Sequence, residues 1–115
     1  PKTKVFVFRM VQEALSNVAK HARATKVMVK VQLKKDMLEA KVSDNGQGFD
    51  VQAEGQNPEK WDHFGVRSMM ERARMLSGTV QWVSKSGTGT KVEISIPLVI
   101  KEKVAYAQTN QSAYR

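Results

Sequence analysis

The sequence predicts a two-layer α/β sandwich, with a mixed, largely antiparallel sheet carrying helices on one face. Two segments place apolar residues at steps of three and four, the spacing of an amphipathic helix. Two pairs of shorter segments alternate every second residue, the spacing of half-buried strands. They follow one another as helix, hairpin, helix, hairpin, and 115 residues suffice for one small domain with one core.

The first helix is predicted over about 4–22, where Phe8, Val11, Leu15, Val18 and Ala22 recur at helical steps. A hairpin follows at about 26–33 and 38–44, turning through Lys34-Lys35-Asp36-Met37, with Val27, Val29, Val31 and Leu33 on one face. Residues 50–64 hold Gly55, Pro58 and four acids, Asp50, Glu54, Glu59 and Asp62, with no apolar period. This is expected to be a loop, either a mobile lid or plain surface. The second helix is predicted at about 65–77, with Val66, Met69, Met70, Ala73 and Leu76 on one side and Ser77-Gly78 as its C-cap. Strands at about 79–84 and 90–97 form the second hairpin, in which Thr90, Val92, Ile94 and Ile96 alternate and Pro97 ends the run. Residues 1–98 are expected to form the domain, and 99–115 a polar tail.

Asp44-Asn45-Gly46-Gln47-Gly48-Phe49-Asp50 is the most informative stretch. Counting by twos, Leu38, Ala40, Val42 and Asp44 share one face, so the strand delivers a carboxylate to the side expected to be buried. A buried carboxylate is costly unless donors meet it. Gly46 and Gly48 allow a ligand to approach the main chain closely. An acceptor beside a glycine-rich bend suits an amino-bearing heterocycle such as adenine. The plainer reading is an Asn-Gly turn leaving a strand.

The first helix adds chemistry on its polar side, where Glu13, Asn17, Lys20 and His21 share helical spacing. Asn17 can supply an oxygen to Mg²⁺, which prefers oxygen ligands and keeps phosphates as partners. Lys20 offers a point charge for phosphate and His21 a further donor. A solvated polar face is the bland alternative. Phe64-Gly65-Val66 stands just before the second helix, and a glycine at a helix N-terminus suits a phosphate. Ser86-Gly87-Thr88-Gly89-Thr90 opens the last strand; alone, such a pattern is weak.

Together these motifs resemble the ATP-binding domain shared by histidine kinases, type II topoisomerases, the heat-shock chaperone of that fold and the mismatch-repair ATPase. "FRMVQEALSNVAKHA" looks like the asparagine box, "DNGQGFD" the first glycine box, "FGVRSM" the second and "GTGT" the third. "QEALSNVAKHA" with "GVRSMMERARMLSG" is similar to the DegS/NarL-partnered class of two-component sensor kinases. The resemblance covers roughly residues 5 to 98. It implies a Mg-ATP site in which Asp44 accepts from the adenine amino group, with Thr90 nearby, and Asn17 ligates the metal. Lys20 and His21 meet phosphates. Gly46, Gly48, Gly65, Val66, Gly87, Thr88 and Gly89 line the nucleotide with backbone. Glu13 is the candidate catalytic acid, weighed against simple pairing with a neighbouring cation.

The resemblance also implies a strand before the first helix, so the chain, starting at Pro1, is expected to lack it. It implies transfer of the γ-phosphoryl group to a histidine on a separate dimerisation region, with a response regulator downstream. His21 and His63 are the only histidines, one in the nucleotide motif and one in the loop, so the chain is not expected to phosphorylate itself. An anti-sigma-factor-type kinase or an ATP-sensing module of the same fold are the alternatives.

Composition excludes other classes. There is no cysteine, hence no disulfide and no cysteine-based nucleophile or metal site, which agrees with a reducing compartment without requiring one; the expected setting is cytoplasmic. No stretch approaches a membrane-spanning length and no membrane contact is expected. The net charge of +8 could draw nucleic acid, but the basic residues are scattered and not interleaved with aromatics, so nucleic acid is not the expected partner.

Overall fold

The computed structural model describes residues 2–48 and 65–98. The loop expected over 50–64, with its tryptophan, and the tail over 99–115 lie outside the described residues. Helix α1 spans Lys2–Asn17 and passes directly into a π-helical turn, Val18–Ala22. Strands β1 (Val27–Lys34) and β2 (Met37–Asp44) form the first hairpin. Helix α2 (Val66–Met75) follows, then strands β3 (Thr79–Lys85) and β4 (Gly89–Pro97).

The sheet order is β1-β2-β4-β3, and all three pairings are antiparallel. Strand β4 thus lies between β2 and β3, which run parallel to each other and are joined through α2. Every strand boundary falls within one residue of its expected place. The expected four-residue turn of the first hairpin is tighter. Lys34 pairs with Met37, leaving Lys35 and Asp36 as the loop, and Lys35 takes a φ of 57°.

Register decides what is buried. Leu38, Ala40 and Val42 on β2 lie opposite Ile96, Ile94 and Val92 on β4, and all six are buried against the helices. Val80 and Trp82 of β3 pack onto this cluster from the far side. Met69 and Ala73 of α2 complete it from above, with Val7, Met10 and Ala14 of α1. Fully burying such side chains contributes about 1.5–3 kcal/mol each relative to exposure.

Helix α1 corrects the expected stripe. Its core residues are Val7, Met10 and Ala14, while Phe8 is 62% and Leu15 36% exposed. Val11 and Val18 pack on the core only in part. The apolar residues of α1 wrap around most of the helix, so spacing alone admits two stripes. The core takes the one rotated toward the polar face. Phe8 and Leu15 fall on the exposed flank. Likewise Val27, Val29 and Val31 share the helix-side face of the sheet with Val42 and Ala40, yet stay exposed on the edge strand β1.

The end of α2 departs from expectation in one residue. The Gly78 amide donates to the Ala73 carbonyl at 2.8 Å and the Ser77 amide to the Arg74 carbonyl at 2.9 Å, the bond pair of a Schellman cap. The left-handed residue of that cap is Ser77, with φ of 58°, not Gly78. Gly78 is needed for a different reason: a Cβ there would strike the Ile96 side chain and the Ser95 carbonyl. Ser77→Gly should therefore raise stability by about 1 kcal/mol, because only glycine adopts this conformation without penalty. Gly78→Ala should lower it. Thermal unfolding of the two variants checks this, and a stabilised Gly78→Ala would contradict the assignment.

Candidate functional site

The apolar face of the sheet turns polar at one end. Along β2 the buried series Leu38, Ala40, Val42 ends in half-buried Asp44, as parity predicted. Asp44 pairs with Thr90 on β4, which in turn pairs with Ser84 on β3. The Ser84 and Thr90 hydroxyls lie 2.8 Å apart, and the Ser84 hydroxyl also donates to the Gly89 carbonyl at 3.1 Å. Three strands therefore present a polar row, Asp44–Thr90–Ser84, where the core runs out. Ser84 was not singled out from sequence; its alternation with Val80 and Trp82 was the available signal.

The carboxylate of Asp44 is held by the bend that follows it. Its Oδ1 accepts the Gly46 amide at 2.8 Å, an Asx-type turn, and Oδ2 has no partner among the described residues. Asn45 points the other way. Its Oδ1 accepts the Thr25 and Lys26 amides, both at 2.9 Å, and its Nδ2 donates to the Thr25 hydroxyl at 2.8 Å. The Asn45 amide also reaches the Lys26 carbonyl at 3.3 Å. One side chain so ties the first glycine motif to the segment that leaves the first helix.

The glycines of this motif are demanded by close approaches. A Cβ on Gly46 would run into the Ala22 carbonyl at the end of the π turn. Gly48, with φ of 64°, lies against the Lys85 and Gly89 carbonyls. Gly89 in turn lies against the Asp44 carbonyl with φ of 86°. The first and third glycine motifs are thus packed backbone to backbone. Gly87 meets nothing within 4 Å; its φ of 85° alone calls for glycine in the turn between β3 and β4. Thr88 closes that turn, its exposed hydroxyl donating to the Lys85 carbonyl at 3.0 Å.

The second glycine motif meets the first helix instead. Gly65 caps α2 with φ of 68°, and a Cβ there would strike the Glu13 carboxylate. Glu13 is half-buried and makes no ion pair among the described residues. Val66 is buried, its side chain turned inward, so this position offers only backbone to a ligand. Asn17 is half-buried on the last α-helical residue. Lys20 is exposed and His21 half-buried, both within the π turn rather than on a continuous α-helical face. That is a correction: the wider π register turns Lys20 and His21 away from strict α-helical alignment with Asn17, and such turns are frequent at functional sites.

The arrangement offers an acceptor at the end of a dry face, backbone from glycine motifs on two sides, a helix N-terminus at Gly65, and a cation at Lys20. This suits a flat amino-bearing ring carrying an anionic tail. Gly46→Ala should cost about 3 kcal/mol, because the obstruction is backbone that cannot swing aside. Gly87→Ala, with open space around it, should cost only about 1 kcal/mol for its positive φ. Denaturant unfolding of both variants measures the difference; equal costs would show that the Gly46–Ala22 approach is not tight.

The profile of the histidine kinase-, DNA gyrase B- and HSP90-like ATPase family matches residues 3–100. Sensor histidine kinase LiaS of Bacillus subtilis is 41% identical over 97 residues, which is 84% of this chain and 26% of that protein. The histidine-protein kinase/phosphatase DegS of Bacillus subtilis is 40% identical over 98 residues, 85% of this chain and 25% of its own length. This chain thus spans about a quarter of the relatives it matches. The histidine kinase domain of a blue-light activated kinase from Erythrobacter litoralis superposes with a TM-score of 0.68 at 25% identity, covering 84% of this chain and 45% of that one. The ATP-binding domain of PrrB from Mycobacterium tuberculosis has the same fold, with a TM-score of 0.66 at 22% identity, covering 83% of this chain and 68% of that one. The chain belongs to the histidine kinase-, DNA gyrase B- and HSP90-like ATPase family, as an ATP-binding domain of the sensor-histidine-kinase kind.

Proposed function

We propose that this chain binds Mg-ATP between its sheet and helices and donates the γ-phosphoryl group to a histidine on a helical dimerisation region of a sensor kinase. The observation that carries the reading is Asp44: a strand-end carboxylate, one oxygen bonded to the Gly46 amide and the other without a protein partner among the described residues. An adenine amino group is a donor of the right kind for that second oxygen. Thr90, its cross-strand neighbour, supports the same ring edge.

The phosphates would extend toward Lys20, His21 and the N-terminus of α2. Among the described residues no group of three or more His, Cys, Asp or Glu side chains could hold a metal. A hard cation would arrive with its phosphates and take one protein oxygen, for which the half-buried Asn17 amide is suited. Bound there, the ion would offset charge on the phosphate oxygens. In the transfer itself, the incoming imidazole nitrogen attacks the γ-phosphorus in line. The bond to the bridging oxygen breaks and ADP leaves. This chain's contribution is to hold the nucleotide; Glu13, against Gly65, stands nearest to a catalytic acid. A response regulator would take the phosphoryl group in turn. The anti-sigma-factor and ATP-sensing alternatives draw less support, since the relatives above are sensor kinases. No described helix is long and apolar enough to cross a membrane; a cytoplasmic setting is part of the proposal.

Asp44→Asn keeps the shape but turns an acceptor-only group into one that also donates. ATP affinity should fall by about 1.5–3 kcal/mol, the range for hydrogen bonds to charged groups. Calorimetric titration measures it, and unchanged affinity would remove Asp44 from the adenine site.

Incubated alone with γ-labelled ATP, the chain should bind nucleotide and take up no label. A helical region bearing a histidine, added in trans, should become labelled. Gel analysis under alkaline conditions that preserve phosphohistidine decides it; a labelled band from the chain alone would make His21 or His63 an acceptor.

A further inference from the structure

Gln47 lies between the two glycines of the first motif, Gly46 and Gly48. It makes three hydrogen bonds to two separate segments. Its amide donates to the Ala22 carbonyl at 2.7 Å, and its side-chain Nε2 donates to the His21 carbonyl. Its own carbonyl accepts the Gly87 amide in the turn between β3 and β4.

The first two bonds answer a definite need. The carbonyls at a helix C-terminus have no partner within the helix. A glycine in the left-handed position usually lets the chain fold back and satisfy them. Here the left-handed position after the π turn is Arg23, with φ of 51°. The chain instead leaves toward β1, and the His21 and Ala22 carbonyls are met from outside by Gln47. Any residue supplies the backbone bond to Ala22. Only a side chain with a donor at the reach of glutamine supplies the one to His21.

The turn closed in this way carries Lys20 and His21. Lys20 is exposed and has no ion pair among the described residues. How its side chain is aimed depends on where the π turn ends, and Gln47 sets that end. We propose that Gln47 is a positioning residue for the phosphate side of the nucleotide. It fixes the π turn so that Lys20 and His21 face the anionic tail, and through Gly87 it locks this end of the first helix to the third glycine motif. This rests on the reading of the site as an ATP site. The adenine contact at Asp44 does not pass through the Gln47 side chain. Losing that side chain should therefore separate the two halves of the ligand.

The test is calorimetric titration of the chain with ATP and, separately, with adenosine at equal ionic strength, alongside the unliganded thermal midpoint. Gln47→Met keeps length and neutrality and removes the donor; Gln47→Ala removes the whole side chain. Both should weaken ATP about threefold to tenfold, as expected for one hydrogen bond, and leave adenosine within about twofold. Equal losses for ATP and adenosine would make Gln47 a general structural residue and overturn the proposal, as would unchanged ATP affinity in both variants. If the unaltered chain binds neither ligand, the ATP reading itself fails and takes this inference with it. If it binds both and only the ratio stays fixed, the ATP reading stands and this inference alone falls.

Discussion

The register of β2 is the constraint on which the rest depends. Paired on both sides, β2 cannot slip by one residue without moving Leu38, Ala40 and Val42 out of the core. The same register holds Asp44 opposite Thr90 and on the helix side. A carboxylate there is tolerable because it sits where the apolar face ends and already accepts the Gly46 amide. The position of this carboxylate is therefore set by the hydrophobic core.

From Asp44 outward the site is built by backbone fitted against backbone. Gly46 lies on the Ala22 carbonyl, Gly48 on those of Lys85 and Gly89, and Gly89 on that of Asp44. Side chains at these places would hold the end of the first helix and the turn between β3 and β4 apart. The polar residues among the glycines, Asn45 and Gln47, make the bonds that hold these pieces together. Glu13 reaches across from α1 to Gly65 and brings the second glycine motif into the same region.

Much of this was legible in the sequence. Alternation located the four described strands, since buried β2 and β4 alternate cleanly between apolar and polar residues. The parity of Asp44 followed from that alternation. The phase of α1 did not follow, because Val5, Val7, Phe8, Met10, Val11 and Leu15 leave few polar gaps and only the packing partners choose between stripes. The exposure of Val27, Val29 and Val31 was hidden for a related reason: strand patterns do not tell an edge from a centre. The π turn and the left-handed Ser77 carry no side-chain signature, as both are backbone solutions to ending a helix. Gln47 looked like filler between glycines, and its partners, 25 and 26 residues back and 40 ahead, appear only once the chain is folded.

The proposed role of Asp44 is to accept a hydrogen bond from the amino group of adenine. Guanine offers a carbonyl oxygen where adenine offers that amino group. The most direct measurement is therefore a pair of calorimetric titrations of the chain, with ATP and with GTP, under identical magnesium and salt. ATP should bind at least about tenfold more tightly, since GTP would set an acceptor against the carboxylate. Equal affinity for the two nucleotides, or tighter binding of GTP, would contradict it.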